Sequence, residues 1–202
     1  MEEIPLRKKS HIILAKYLND EILGAGALEG HRKAFCLGSI LPDCQPAFIY
    51  RKHEYFGTID IVRRKMDRLV LTSPDVLGGR VYLRRLGEVI HYMADYFTFP
   101  HNKTFGGNFN DHNRYEEELK NRLKTYIVSG EAKDNQEEIV EFRDVSEMMD
   151  FVAICHDSYL RKERTVEEDI RYITFMCSQV AWNITNLSCK NASVAQMAVA
   201  TC

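Results

Sequence analysis

The chain has 202 residues, 45% of them hydrophobic and 28% charged, with a formal net charge of −2. That supplies apolar material for one substantial core but no basic surplus to neutralise a nucleic-acid backbone or draw the protein onto anionic lipid, so no stable nucleic-acid partner is expected. No stretch approaches the ~20 apolar residues of a membrane span, and the opening MEEIPLRKKSHIILAKYL lacks an apolar signal core with a cleavage site, which together predict a cytoplasmic chain without a transmembrane segment.

Apolar residues recur at three- and four-residue spacing almost throughout, and no long alternating run argues for a strand. The reading is therefore all-α, a single-domain helical bundle over residues 1–202 with seven or so helices. The first is expected from Lys9 to Leu28, with Ile12, Ile13, Leu14, Leu18 and Ile22 inward, and a second from Arg32 to Ile40 before Pro42. After a loop with Pro42 and Pro46, a third runs from Thr58 to Leu71, and a fourth from Arg80 to Phe97 is ended by Pro100. Asn102 to Asn110 is expected to be a surface loop, and a fifth helix from His112 to Val128 closes at Gly130. A charged connector, Glu131 to Asp144, leads to helices at Ser146–Lys162 and Val166–Leu187, the last opened by a capping box of Thr165 and Glu168. Trp182 and the methionines of Glu147 to Phe151 read as core packing, and His156 as a partly buried or boundary histidine. Six scattered cysteines without a CxxC suit reduced thiols, and three Asn-x-Ser/Thr triplets, at Asn183, Asn186 and Asn191, read as chance.

The chemistry is carried by histidines and carboxylates. His91 and Asp95, in HYMAD, are four residues apart on the fourth helix, so both side chains leave one face and can reach one cation. His112 and Glu116, in HNRYE, repeat that spacing on the fifth helix. His101 lies between them, just after Pro100, where a rigid ring fixes the chain as it leaves the helix. Reaching toward His112 and Glu116, it would complete a set of two imidazoles and one carboxylate. Such a set suits zinc and leaves coordination positions open for water or substrate. His11, Asp43 and His53 mean little singly.

In combination they mean more. GSILPDC, a histidine ten residues on, RLGEVIHYMADYFTFPHN and HNRYEEEL follow one another in a single order. The sequence resembles the zinc-dependent phospholipase C family, all-helical enzymes holding three metal ions, with which fungal single-strand-specific zinc nucleases share a distant fold and metal arrangement. The motifs cover Ser10 to Leu119. The resemblance implies that Asp43, His53, His91 and Asp95 hold one zinc, that His101, His112 and Glu116 hold a second, and that His11 ligates a third, with Asp95 bridging the first and third.

Two departures from the family pattern stand out. Secreted members complete the third site with the amino group and carbonyl of an N-terminal tryptophan, whereas this chain opens MEEIPL and has its single Trp at 182. The third site is therefore expected to be the weakest, and to be partly empty, water-rich or completed by another group, such as the backbone of Met1 or a nearby carboxylate. The aromatic that follows the equivalent of Asp43 in choline-preferring members is Cys44 here, although Tyr50 stands three residues before His53. Tyr50, Phe105 and Phe109, on loops flanking ligands, are candidates to line a substrate pocket or hold a cationic headgroup. Asn102 and Asn113, each beside a ligand histidine, are candidates to support the ligands from behind.

The expected function is that of a metal-dependent phosphoric-ester hydrolase, a phospholipase C-like phosphodiesterase using two or three zinc ions to activate water. Asp43 is the candidate catalytic carboxylate that orients the water or takes its proton. The substrate would be a phosphate ester, a phospholipid among them. The alternatives are a nuclease or a phosphomonoesterase on a soluble phosphorylated metabolite, or a catalytically silent metal-binding protein.

Overall fold

The computed structural model describes residues 6–24, 30–44, 54–162 and 165–200. Among these the protein is all-α, with nine α-helices and no strand: α1 (Leu6–Leu18), α2 (Arg32–Gly38), α3 (Tyr55–Leu71), α4 (Pro74–Leu77), α5 (Gly79–Tyr96), α6 (Phe109–Val128), α7 (Glu131–Asp134), α8 (Val145–Leu160) and α9 (Val166–Ala200). A π-helical turn, Asn19–Leu23, follows α1, and two 3-10 turns, Pro42–Cys44 and Phe99–His101, precede α3 and α6. None of these helices is long and apolar enough to cross a membrane.

Helix α5 is the central element and packs against α2, α3 and α9. Tyr82, Leu83, Leu86, Val89, Ile90 and Met93 recur on its buried side, each at most 1% exposed. Their three- and four-residue spacing makes a continuous apolar stripe, which holds the helix against its neighbours. Leu14 and Leu18 of α1, Val62, Met66 and Leu69 of α3, and Ile173, Cys177, Val180 and Ile184 of α9 complete the same core.

Several boundaries differ from the sequence reading, each for a local reason. The first helix was expected to reach Leu28, but α1 ends at Leu18 and its π-helical extension stops at Gly24, whose φ of 63° is open to glycine without strain. Residues 25–28 lie outside the described chain. Helix α6 starts at Phe109, within the span expected to be loop, because Asn108 caps it. The Asn108 side chain accepts from the backbone N–H groups of Asn110 and Asp111 at 2.8 and 3.1 Å, while Asp111 accepts from Asn108 N–H at 3.1 Å. Helix α9 runs on to Ala200 because nothing after Leu187 contains a glycine or proline to stop it. Helices α4 and α7, of four residues each, are too short for periodicity to reveal. The expected capping residue Thr165 accepts from Glu168 N–H at 3.2 Å. Trp182 is a correction: it is only half-buried, on the side of α9 away from the Ile173–Cys177–Val180–Ile184 stripe.

The connector after α7 has exposed charged side chains, as expected, but its backbone is laced to α9. Gln179 accepts from Val140 N–H and donates to the Glu138 carbonyl, both at 2.9 Å. Asn183 accepts from Phe142 N–H at 3.0 Å and donates to the Val140 carbonyl at 2.9 Å. Both side chains are fully buried.

His156, expected to be partly buried or at the boundary, is fully within the core at 3% exposure. Its ring stacks on Tyr55 at 4.1 Å between centroids, and its Nε2 lies 3.1 Å from Asn102 Oδ1. The Asn102 amide nitrogen donates to the Tyr96 and Thr98 carbonyls, at 3.2 and 3.0 Å. Its oxygen is therefore an acceptor and His156 Nε2 carries the proton. Among the described residues Asn102 bonds no ligand side chain; with His156 it fixes the backbone of the turn that carries His101. Burial pushes the His156 pKa down to about 4 from 6.5. A depressed folded-state pKa means that stability present above pH 6.5 is lost as the pH falls toward 4, by about 3 kcal/mol for that shift. In metal-free protein, His156→Gln should flatten the loss of chemical-denaturation stability between pH 6.5 and 4 relative to wild type; equal slopes would show that this histidine does not supply it.

Candidate metal centre

Helix α5 sets out His91 and Asp95 one turn apart at its C-terminal end, the first fully buried and the second 2% exposed. His91 Nε2 lies 3.2 Å from Asp95 Oδ2 and 3.6 Å from Asp43 Oδ1, which the Pro42–Cys44 turn brings in from the side. His11 of α1 approaches the other oxygen, with Nε2 3.3 Å from Asp95 Oδ1. His101 Nδ1 is 3.7 Å from Asp95 Oδ2, so this one carboxylate faces three imidazoles.

The second group is built on α6 and the turn before it. Glu116 Oε1 lies 2.7 Å from His112 Nε2 and 3.2 Å from His101 Nε2. Asp43, Asp95, His11, His101 and Glu116 line one cleft, whose deeper wall is made by Leu14, Leu119, Leu123 and Ile173. Two sets, His11/His91/Asp95 and His101/His112/Glu116, each present one donor atom per residue, all within 4.8 Å of one another.

These sets fit a divalent cation on their chemistry. Each combines imidazole nitrogen with carboxylate oxygen, the ligand types zinc takes, and Asp95 and Glu116 are buried negative groups that a cation would neutralise. The His91 Nδ1 lies 2.9 Å from the Ser39 carbonyl and must donate to it, which leaves Nε2, facing the two aspartates, as the nitrogen able to bind a cation.

Seven of the eight ligand positions expected from sequence thus come together; the eighth, His53, and Tyr50 lie outside the described residues, as does Met1. Phe105 is half-buried, edge-on to His112 at 5.9 Å and to Phe99 at 5.2 Å, while Phe109 is 71% exposed at the start of α6. Asp43, the candidate catalytic carboxylate, stands on the cleft wall. His31 lies apart from the centre, at the N-terminal end of α2.

Sequence reasoning missed the residues that hold the ligands. Gly38 and Gly87 let α2 and α5 meet backbone to backbone. A Cβ on Gly38 would overlap the Arg84 carbonyl, and one on Gly87 would overlap the Phe35 carbonyl and sit 2.8 Å from Ser39 N. That close approach carries the Ser39 carbonyl to His91, one turn beyond Gly87. The Ser39 hydroxyl also donates to the Cys36 carbonyl at 2.9 Å and lies 3.3 Å from the His11 carbonyl, which ties α1 to the same junction. Both glycines stand inside or beside the motifs already quoted, and this was the available signal. Asp169 of α9, wholly buried, gave none.

Among the described residues, fold and site together define an all-helical protein with two histidine–carboxylate sets of metal-binding composition. A family model for zinc dependent phospholipase C matches residues 10–166, and the chain belongs to that family. The match runs well beyond the motif-bearing part of the sequence and takes in α7, α8 and the first residue of α9. No curated protein and no solved structure matches the chain.

The α2–α5 junction can be tested directly. Gly87→Ala should lower stability by roughly 1–3 kcal/mol, because an added methyl must displace backbone rather than a flexible side chain. It should also reduce zinc content by turning His91 out of line with Ser39. Gly106→Ala, whose Cβ would meet nothing within 4 Å, is the control and should change neither. Wild-type melting and zinc content in the Gly87 variant would show that the helices can part without harm to the centre.

Proposed function

We propose that the chain is a zinc-dependent phosphodiesterase of the phospholipase C type, which hydrolyses a phosphate diester, preferentially of a lipid, to an alcohol and a phosphorylated headgroup. The observation that carries the reading is the shared position of Asp95, with one oxygen turned to His11 and the other to His91 and His101. In this reading Asp43, His53, His91 and Asp95 would hold one ion, His101, His112 and Glu116 a second, and His11 with Asp95 a third.

Zinc bound there would supply Lewis acidity, making water a nucleophile near neutral pH and offsetting the charge of the phosphate oxygens. The remaining work belongs to the chain. The Ser39 carbonyl holds the His91 proton on Nδ1 and so keeps Nε2 basic. Asp43 orients the attacking water and takes its proton as the water oxygen bonds to phosphorus. The ester P–O bond opposite breaks in line, and the departing alkoxide is protonated from solvent. The apolar wall of Leu14, Leu119 and Leu123 limits water in the cleft and strengthens the electrostatic terms inside it. Phe109, and with it Tyr50 and Phe105, would present ring surface to a cationic headgroup.

Two experiments test this reading. His91→Ala and His112→Ala should each abolish most hydrolysis of phosphatidylcholine vesicles and of a chromogenic phosphocholine diester, lose zinc, and melt at lower temperature. Single-stranded DNA and a phosphomonoester serve as competing substrates. Faster turnover of either would replace the lipid diester, and full activity with full zinc in either variant would remove that ligand from the centre.

In this reading the third ion has only His11 and a share of Asp95, against three or more side chains for each of the others, so it should fill last. Zinc titration of the apo-protein should give two tight equivalents and a weaker third, with only the third lost in His11→Ala. Three equally tight ions, unaffected by that substitution, would contradict the role given to His11.

A further inference from the structure

Asp169 is wholly buried in α9, yet it accepts three hydrogen bonds from three separate elements. Phe99 N–H, at the start of the turn that ends in His101, donates to Oδ2 at 2.8 Å. The Tyr115 hydroxyl, from the residue before Glu116 on α6, donates to the same oxygen at 2.8 Å. The Tyr159 hydroxyl of α8 donates to Oδ1 at 2.6 Å.

A buried carboxylate is a poor device for stability, since removing charge from water costs several kcal/mol and a well-packed apolar side chain does as well or better. Its geometry is informative instead. A single oxygen is bonded both to the turn that carries His101 and to the helix that carries His112 and Glu116. Loops relax more readily than helices, and Phe99–His101 is a three-residue 3-10 turn with no helix of its own to hold it. Asp169 fixes that turn at a set distance from α6.

We propose that Asp169 is a positioning residue for the His101/His112/Glu116 set, acting through Phe99 and Tyr115 to hold His101 in register with the two ligands on α6. This rests on the reading of that set as a metal site. Asp169 lies beyond the residues matched by the family, so the strut is supplied by a part of the chain that the family comparison does not reach.

The test uses cobalt(II) in place of zinc in the full chain, with the absorption component lost in His112→Ala taken as the signal of this site. Asp169→Leu keeps the branched shape but removes the acceptor from all three donors, and should weaken cobalt binding at that component by roughly 10- to 100-fold and alter its ligand-field bands. Tyr115→Phe cuts only the link to α6 and should act in the same direction. Tyr159→Phe removes the bond from α8 to Asp169; it should lower the melting temperature of apo-protein and leave the cobalt spectrum unchanged. If Asp169→Leu does not fold, the decision passes to the two tyrosine variants. Wild-type cobalt affinity and spectrum in Tyr115→Phe and in any folded Asp169→Leu would overturn the proposal alone. A wild-type chain without a cobalt signal dependent on His112 would overturn the metal-site reading, and this inference with it.

Discussion

Asp95 sits 2% exposed at the end of the most deeply packed helix, and an ionised carboxylate in that position needs compensating charge. Three imidazoles surround it, brought from α1, from its own helix and from the Phe99–His101 turn. The rest of the architecture follows from keeping these groups in place. Helix α5 must be rigid, so its other faces are sealed by α2, α3 and α9. The elements that deliver His11 and Asp43 must come close to it, so α2 meets it with glycine on both sides. The turn that delivers His101 is short and must be held from outside, which His156 does through Asn102 and Asp169 does through Phe99.

Buried charge of this kind costs free energy in the absence of a cation, and the same donors gain affinity from being preorganised when one is bound. The apolar packing of α5 is what meets that cost. Stability and metal binding are therefore coupled through one helix, since the residues that bury its stripe and those that would bind metal alternate along the same few turns.

Much of this was legible in the sequence because the ligand pairs obey helical periodicity. His91/Asp95 and His112/Glu116 are each four residues apart, and that spacing alone puts each pair on one face. Helix interiors were equally legible, as the stripe from Tyr82 to Met93 shows. What escaped was information carried by contacts between segments distant in sequence. Nothing local in Ser39 or Gly87 says that two backbones meet there, and nothing local in Asp169 says that donors from three elements converge on it. Helix ends escaped for a different reason: the reciprocal bonds of Asn108 and Asp111 outweigh the look of a polar, glycine-bearing loop. Trp182 misled because a large aromatic suggests the core by composition, whereas its angular position on α9 decides its exposure.

The segment between α7 and α8 has the composition of a solvated loop, but Gln179 and Asn183 treat its backbone as a neighbouring strand would. Their primary amides copy the donor–acceptor pattern of a peptide group, four residues apart on a helix, and engage Glu138, Val140 and Phe142 in alternation. Solvent deuterium should therefore reach the amides of Val140 and Phe142 only when α9 itself comes loose. A stretch that looks disposable by charge and lack of secondary structure is thereby bound to the cooperative unit of the longest helix, and insertions in it would disturb that helix before they altered any loop.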